Sequence, residues 1–149
     1  MKHFFLLLLF FSFFAASGQT AADTAGLHNT LRTAAFGVSG KVTEIDDWLF
    51  IRFPEWEKMA DPKKRFNPTD NGGGAKRRLF FAARSGNVWI VSYEHGGRGY
   101  HTHCFIITVT EGHELFVFDC HREFKSMDEL RADVLCRDLP LKVSETYDY

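Results

Sequence analysis

The chain opens on an almost unbroken apolar run, Phe4 to Phe14, interrupted only by Ser12 and preceded by the short basic start Met1-Lys2-His3. Ala16-Ser17-Gly18 then supplies small residues at the spacing a signal peptidase reads, so the pattern predicts a secretory signal peptide over 1–18 and an exported protein, secreted or periplasmic. The run is shorter than the ~20 residues a spanning helix needs. No second apolar segment of that length follows, so no membrane span is expected in the mature chain.

Beyond the leader the hydrophobic positions change period several times. Leu27, Leu31 and Ala34 or Ala35 recur at helical spacing within 20–36, which predicts a modest amphipathic helix ending near Gly37. Val42–Ile45 and Trp48–Phe53 read as two strands around an Asp46-Asp47 turn, stopped by Pro54. From 57 to 78 prolines, asparagines, three consecutive glycines and two basic triplets predict a long mobile loop.

The pattern is clearest from Leu79 onward. Leu79–Arg84 and Val88–Glu94 flank Ser85-Gly86-Asn87, while Tyr100–Thr110 and Glu114–Cys120 flank Glu111-Gly112-His113. Two hairpins joined at Gly96-Gly97-Arg98-Gly99 predict a four-strand meander. The doubly apolar runs Phe105-Ile106-Ile107 and Leu115-Phe116-Val117-Phe118 place its strands centrally, covered on both sides. Ser126-Met127-Asp128-Glu129 has the form of a capping box, which starts a helix over about 127–136 with Met127, Leu130 and Val134 on one face. The polar tail at about 141–149 is expected to fray. The fold class that results is α+β: an antiparallel sheet of about six strands in hairpins, with an N-terminal helix and a C-terminal helix packed on it.

Composition changes this picture little. Residues 19–149 suit a single domain able to bury a real core. Eighteen Lys and Arg stand against nineteen Asp and Glu, so the balance is near neutral and gives no electrostatic case for nucleic acid. Six of the sixteen Phe fall in the leader, and the remaining aromatics still furnish a sheet-based core.

Three cysteines in an exported chain allow one disulfide. If the last hairpin turns symmetrically about Gly112, Cys104 faces Cys120, and a non-hydrogen-bonded pair there is close enough to bridge. Cys136, away from the apolar stripe of the last helix, is then the odd thiol. Three reduced cysteines buried as small hydrophobes are the alternative.

The same register sets His103 opposite His121 and Phe105 opposite Asp119, with His101 on the face of His103. A turn at Gly97-Arg98 would set Glu94 opposite His101 and Ser92 opposite His103. Glu94, His101, His103, Asp119 and His121 then converge at one end of one sheet face, with His95 either joining or decorating the turn. Imidazoles and carboxylates so grouped suit zinc or another borderline divalent metal, and equally suit acid–base chemistry. A polar, half-exposed sheet end is the plainer reading of the same residues.

Other chemistry finds no footing. Gly96-Gly97-Arg98-Gly99 lacks the spacing and strand-to-helix context of a phosphate loop, and no serine sits in a nucleophile elbow. The expectation is therefore an exported, non-enzymatic binding or interaction module that meets an envelope or extracellular protein, or a small molecule. The alternative is a metal-binding or metal-dependent hydrolytic protein built on the histidine and carboxylate cluster.

Overall fold

A computed structural model describes residues 24–69, 71–97, 99–109, 115–120, 122–136 and 142–143. The expected signal segment at 1–18 and the end of the tail lie outside those residues. The chain divides into two compact units, Met1–Ala34 and Ala35–Tyr149. In the first, residues 24–33 form helix α1, where Leu27 and Leu31, one turn apart, are both buried. No helix among the described residues is long and apolar enough to cross a membrane.

The second unit is built on a sheet of strands β1 (Gly37–Ser39), β2 (Met59–Ala60), β3 (Arg77–Ser85), β4 (Val88–His95), β5 (His101–Val109), β6 (Leu115–Asp119) and β7 (Lys142–Val143). Their order is β1-β3-β4-β5-β6-β7, antiparallel throughout, with the short β2 added parallel to β3. The chain is an α+β protein, and its four long strands are those the sequence predicts. Val88 through Glu94 are all buried, so β4 is covered on both faces and its side chains alternate between two separate packing layers. β7 pairs Val143 with Phe118 where a frayed tail was expected.

One layer faces the segment 42–59, and here the expected hairpin does not form. Val42–Glu44 is a 3-10 turn, Asp47–Arg52 is helix α2, and Pro54–Trp56 is a second 3-10 turn. Ile45, Leu49, Phe53 and Trp56 recur at spacings of four, four and three, and all are buried. That helical period outweighs the strand-like composition of Trp48–Phe53, which is apolar at almost every position and carries no alternation. Asp47 in the first turn and Arg52 in the last also suit the helix dipole. Trp56 stacks on Phe53 at 4.3 Å and meets Tyr93 edge-on at 5.7 Å, so this segment and the sheet share one aromatic core.

On the other face, helix α3 (Met127–Cys136) buries Met127, Leu130 and Val134. The hydroxyl of Ser92 donates to the Phe124 carbonyl at 2.5 Å, tying the approach to α3 to the middle of β4. Ser126 caps the helix as expected, accepting from the Glu129 N–H at 3.2 Å, while the Glu129 carboxylate accepts from the Lys125 N–H at 2.6 Å. Ser126→Ala is expected to cost about 1 kcal/mol, the usual worth of such a cap. A urea titration against wild type measures it; an unchanged midpoint would show that Glu129 alone suffices.

The stretch from 57 to 78, expected as a long mobile loop, is in part structured. It contains β2, the start of β3, and between them a loop pinned by its own polar groups. The Asn67 N–H donates to the Ala75 carbonyl at 2.7 Å, and the Asn67 amide reaches the carbonyls of Asn71 and Gly73.

Candidate metal centre

The turn between β4 and β5 decides which side chains meet. It pairs His95 with His101, Tyr93 with His103 and Ser92 with Cys104, one residue away from the expected register. The cause is non-local. The Gly96 N–H donates to the Lys76 carbonyl at 2.8 Å and the Gly97 N–H to the Pro68 carbonyl at 3.2 Å, so the turn rests on the neighbouring loop. A methyl group at Gly96 would fall 2.4 Å from the Pro68 Cα, which requires glycine there. Because strand side chains alternate, the one-residue shift exchanges faces. His95 joins His101 and His103, and Glu94 leaves them.

Nitrogen atoms of His95, His101 and His103 all lie within 4.8 Å of one another. Their burial is graded: His103 is buried, His95 half-buried and His101 exposed, so the group opens from the sheet toward solvent. The His101 Nδ1 lies 2.9 Å from the Gly99 carbonyl oxygen, which only accepts, so this nitrogen carries the proton. The lone pair of neutral His101 is therefore on Nε2. That atom stands 3.1 Å from the His95 Nδ1, which donates to it when no ion is bound. Two imidazole nitrogens on a tetrahedral zinc, each at ~2.0–2.1 Å, are about 3.3 Å apart. The pair thus stands close to ligand spacing, with His101 oriented by a backbone carbonyl as metal-binding histidines commonly are.

His103 extends the aromatic core into this group. It stacks on Tyr93 at 5.1 Å and lies 5.6 Å from the Phe105 ring. Burial and the neighbouring His101 push its pKa down to about 4, with His95 and Arg77 acting in the same direction and Asp119 against them. His103 is therefore neutral at physiological pH, as a ligand must be. Since the unfolded chain takes up a proton near 6.5 and the native one only near 4, stability held above 6.5 is lost as the pH falls through that window. In metal-free protein, His103→Phe should flatten the fall in urea midpoint between neutral and mildly acid pH. An identical pH dependence in the variant would rule out His103 as its source.

The other predicted residues separate. Glu94 faces Thr102 on the opposite side of the sheet, where its carboxylate meets the Arg78 guanidinium at 2.5 Å. Asp119 does lie opposite Phe105 as expected, and its Oδ2 is 4.0 Å from the His103 Nδ1. That distance makes it an electrostatic neighbour on one edge of the ring. His121 lies outside the described residues. Cys104 and Cys120 do face each other and are both buried, but the Cys120 N–H donates to the Cys104 carbonyl at 3.0 Å, so the pair is of the hydrogen-bonded type. Both are free thiols, so the expected disulfide is not formed, and buried reduced cysteines are what the structure shows at these two positions. Cys136 is exposed.

Beside the imidazoles stands Arg77, paired with His95 across β3 and β4. It also lines a cleft of about 300 Å³ between the Pro54–Lys58 segment and Gly74–Lys76. Its Nη1 donates to the Glu55 carbonyl at 3.1 Å, while its buried Nε has no acceptor among the described residues.

The fold and site define a class, an α+β protein with an imidazole triad at a hairpin mouth. Comparison with protein-family models, curated proteins and solved structures finds no match for the chain.

Proposed function

We propose that this chain is an exported, non-enzymatic binding module whose ligand is a borderline divalent cation of the zinc type, held by His95, His101 and His103. The observation that carries this reading is the His95–His101 pair, 3.1 Å apart, with the far nitrogen of His101 fixed on the Gly99 carbonyl. Three nitrogen ligands favour zinc, copper or nickel over calcium or magnesium, which take oxygen. The hydrolytic alternative calls for a carboxylate base beside the metal-bound water. Glu94 is held by Arg78 across the sheet, and Asp119 lies along the Nδ1 edge of His103, so neither supports that chemistry.

Export enters this reading through the sequence of the leader alone. Outside the cytoplasm the partly exposed site would meet free or loosely chelated metal. The test is metal content by elemental analysis after dialysis of tag-free protein against zinc. One zinc per chain is expected, with most of it lost when His95 and His101 are both changed to alanine. A substoichiometric content equal in wild type and variant would overturn the proposal.

A further inference from the structure

We infer that the ion held by His95, His101 and His103 takes a carboxylate as its fourth ligand, and that Arg77 holds the same carboxylate by its second oxygen. This rests on the metal reading above and adds to it the class of the co-ligand. Three imidazoles leave a tetrahedral cation one position short. The graded burial of the three rings leaves the group open toward solvent, where that position can be filled.

Charge argues that an anion fills it. A divalent cation with three neutral imidazoles carries its full charge of about +2, since such ligands contribute none. Arg77, paired with His95 across β3 and β4, adds another positive charge on the same face. Asp119, beside His103, offsets one of them. Arg78 and Glu94 neutralise each other on the opposite face. A positive excess remains at the mouth of the site, where a bound anion is electrostatically favoured.

Arg77 supplies the partner for the oxygen that the metal leaves free. Its guanidinium keeps donors beyond the one on the Glu55 carbonyl, and a charge-assisted bond from such a donor to a carboxylate is a strong one. The cleft it lines, shared with Lys58 and Lys76 and flanked by Glu55 and Glu57, gives the rest of a small acid somewhere to lie. Coordination involves no redox change: a carboxylate oxygen donates its lone pair to the metal, and a bound water leaves.

The experiment uses the full mature chain loaded with Co2+, whose visible absorption reports its coordination, and titrates acetate in a buffer free of other carboxylates. A saturable change in the Co2+ band is expected in wild type. Arg77→Met should weaken acetate by about tenfold or more, the worth of one charge-assisted hydrogen bond, while the starting Co2+ spectrum persists. Arg77→Lys, which keeps the charge but not the guanidinium, should fall between them. A tripeptide with a free C-terminus, run against its amidated form, separates a protein-borne carboxylate from a small acid. Tighter binding than acetate assigns the former, and equal binding the latter. Co2+ that binds with no response to acetate overturns the co-ligand and leaves the metal site standing. Protein that shows no Co2+ band overturns both.

Discussion

Zinc added to the metal-free domain is expected to raise its melting temperature by roughly 10 °C when free zinc is about a hundred times Kd. A ligand at that excess stabilises the native state by about 2.7 kcal/mol, which for a domain of this size moves the midpoint by that order. Chelator should reverse the shift, and calcium should not reproduce it. His101→Ala is the decisive variant. The ring is exposed, so its loss should leave metal-free stability within about 0.5 kcal/mol, yet the zinc-dependent increase should largely vanish. A shift that survives this change would place the metal elsewhere.

Trp56→Ala carries the largest expected loss of stability, about 3–5 kcal/mol, as for other large aromatics removed from a core. Its ring is fully buried and joins three neighbours: Phe53, Tyr93 and Phe105, at 4.3, 5.7 and 6.3 Å. Urea unfolding measures the loss, and Trp56→Phe should recover much of it. Two of these neighbours, Tyr93 and Phe105, also flank His103. The folded fraction of Trp56→Ala should therefore bind zinc less tightly than wild type, although Trp56 is no ligand. A loss below about 1 kcal/mol would mean that the 42–59 segment does not anchor this face.

How much of this was legible in the sequence depends on how local each determinant is. The four long strands were, because Gly86 and the short polar turns around them separate runs of strand composition too long for a two-residue shift to hide. Helix α3 was legible through Ser126 and Glu129, two side chains that act on backbone groups within one turn. Helix α2 was misread because the run Trp48–Phe53 carries no period of its own. Its helical signature spans Ile45 to Trp56 and includes a proline. The candidate site was found in part: His101, His103 and Asp119 were placed on the right face. Glu94 was wrongly set among them and His95 was left open, both through a single-residue difference in the turn. That difference is set by carbonyls of Pro68 and Lys76, far away in sequence, and local turn rules contain no term for them.

All three imidazoles come from one hairpin, between positions 95 and 103. Closing so short a loop costs little entropy, and the cost grows only slowly with length. An ion can therefore bridge these side chains while the rest of the chain is still unfolded, fixing the β4–β5 turn before its distant contacts with Pro68 and Lys76 exist. Metal would then act on the order of events in folding: it would speed the pairing of the two central strands, and its weaker hold on the unfolded hairpin would keep the thermal shift somewhat below that of a ligand of the native state alone.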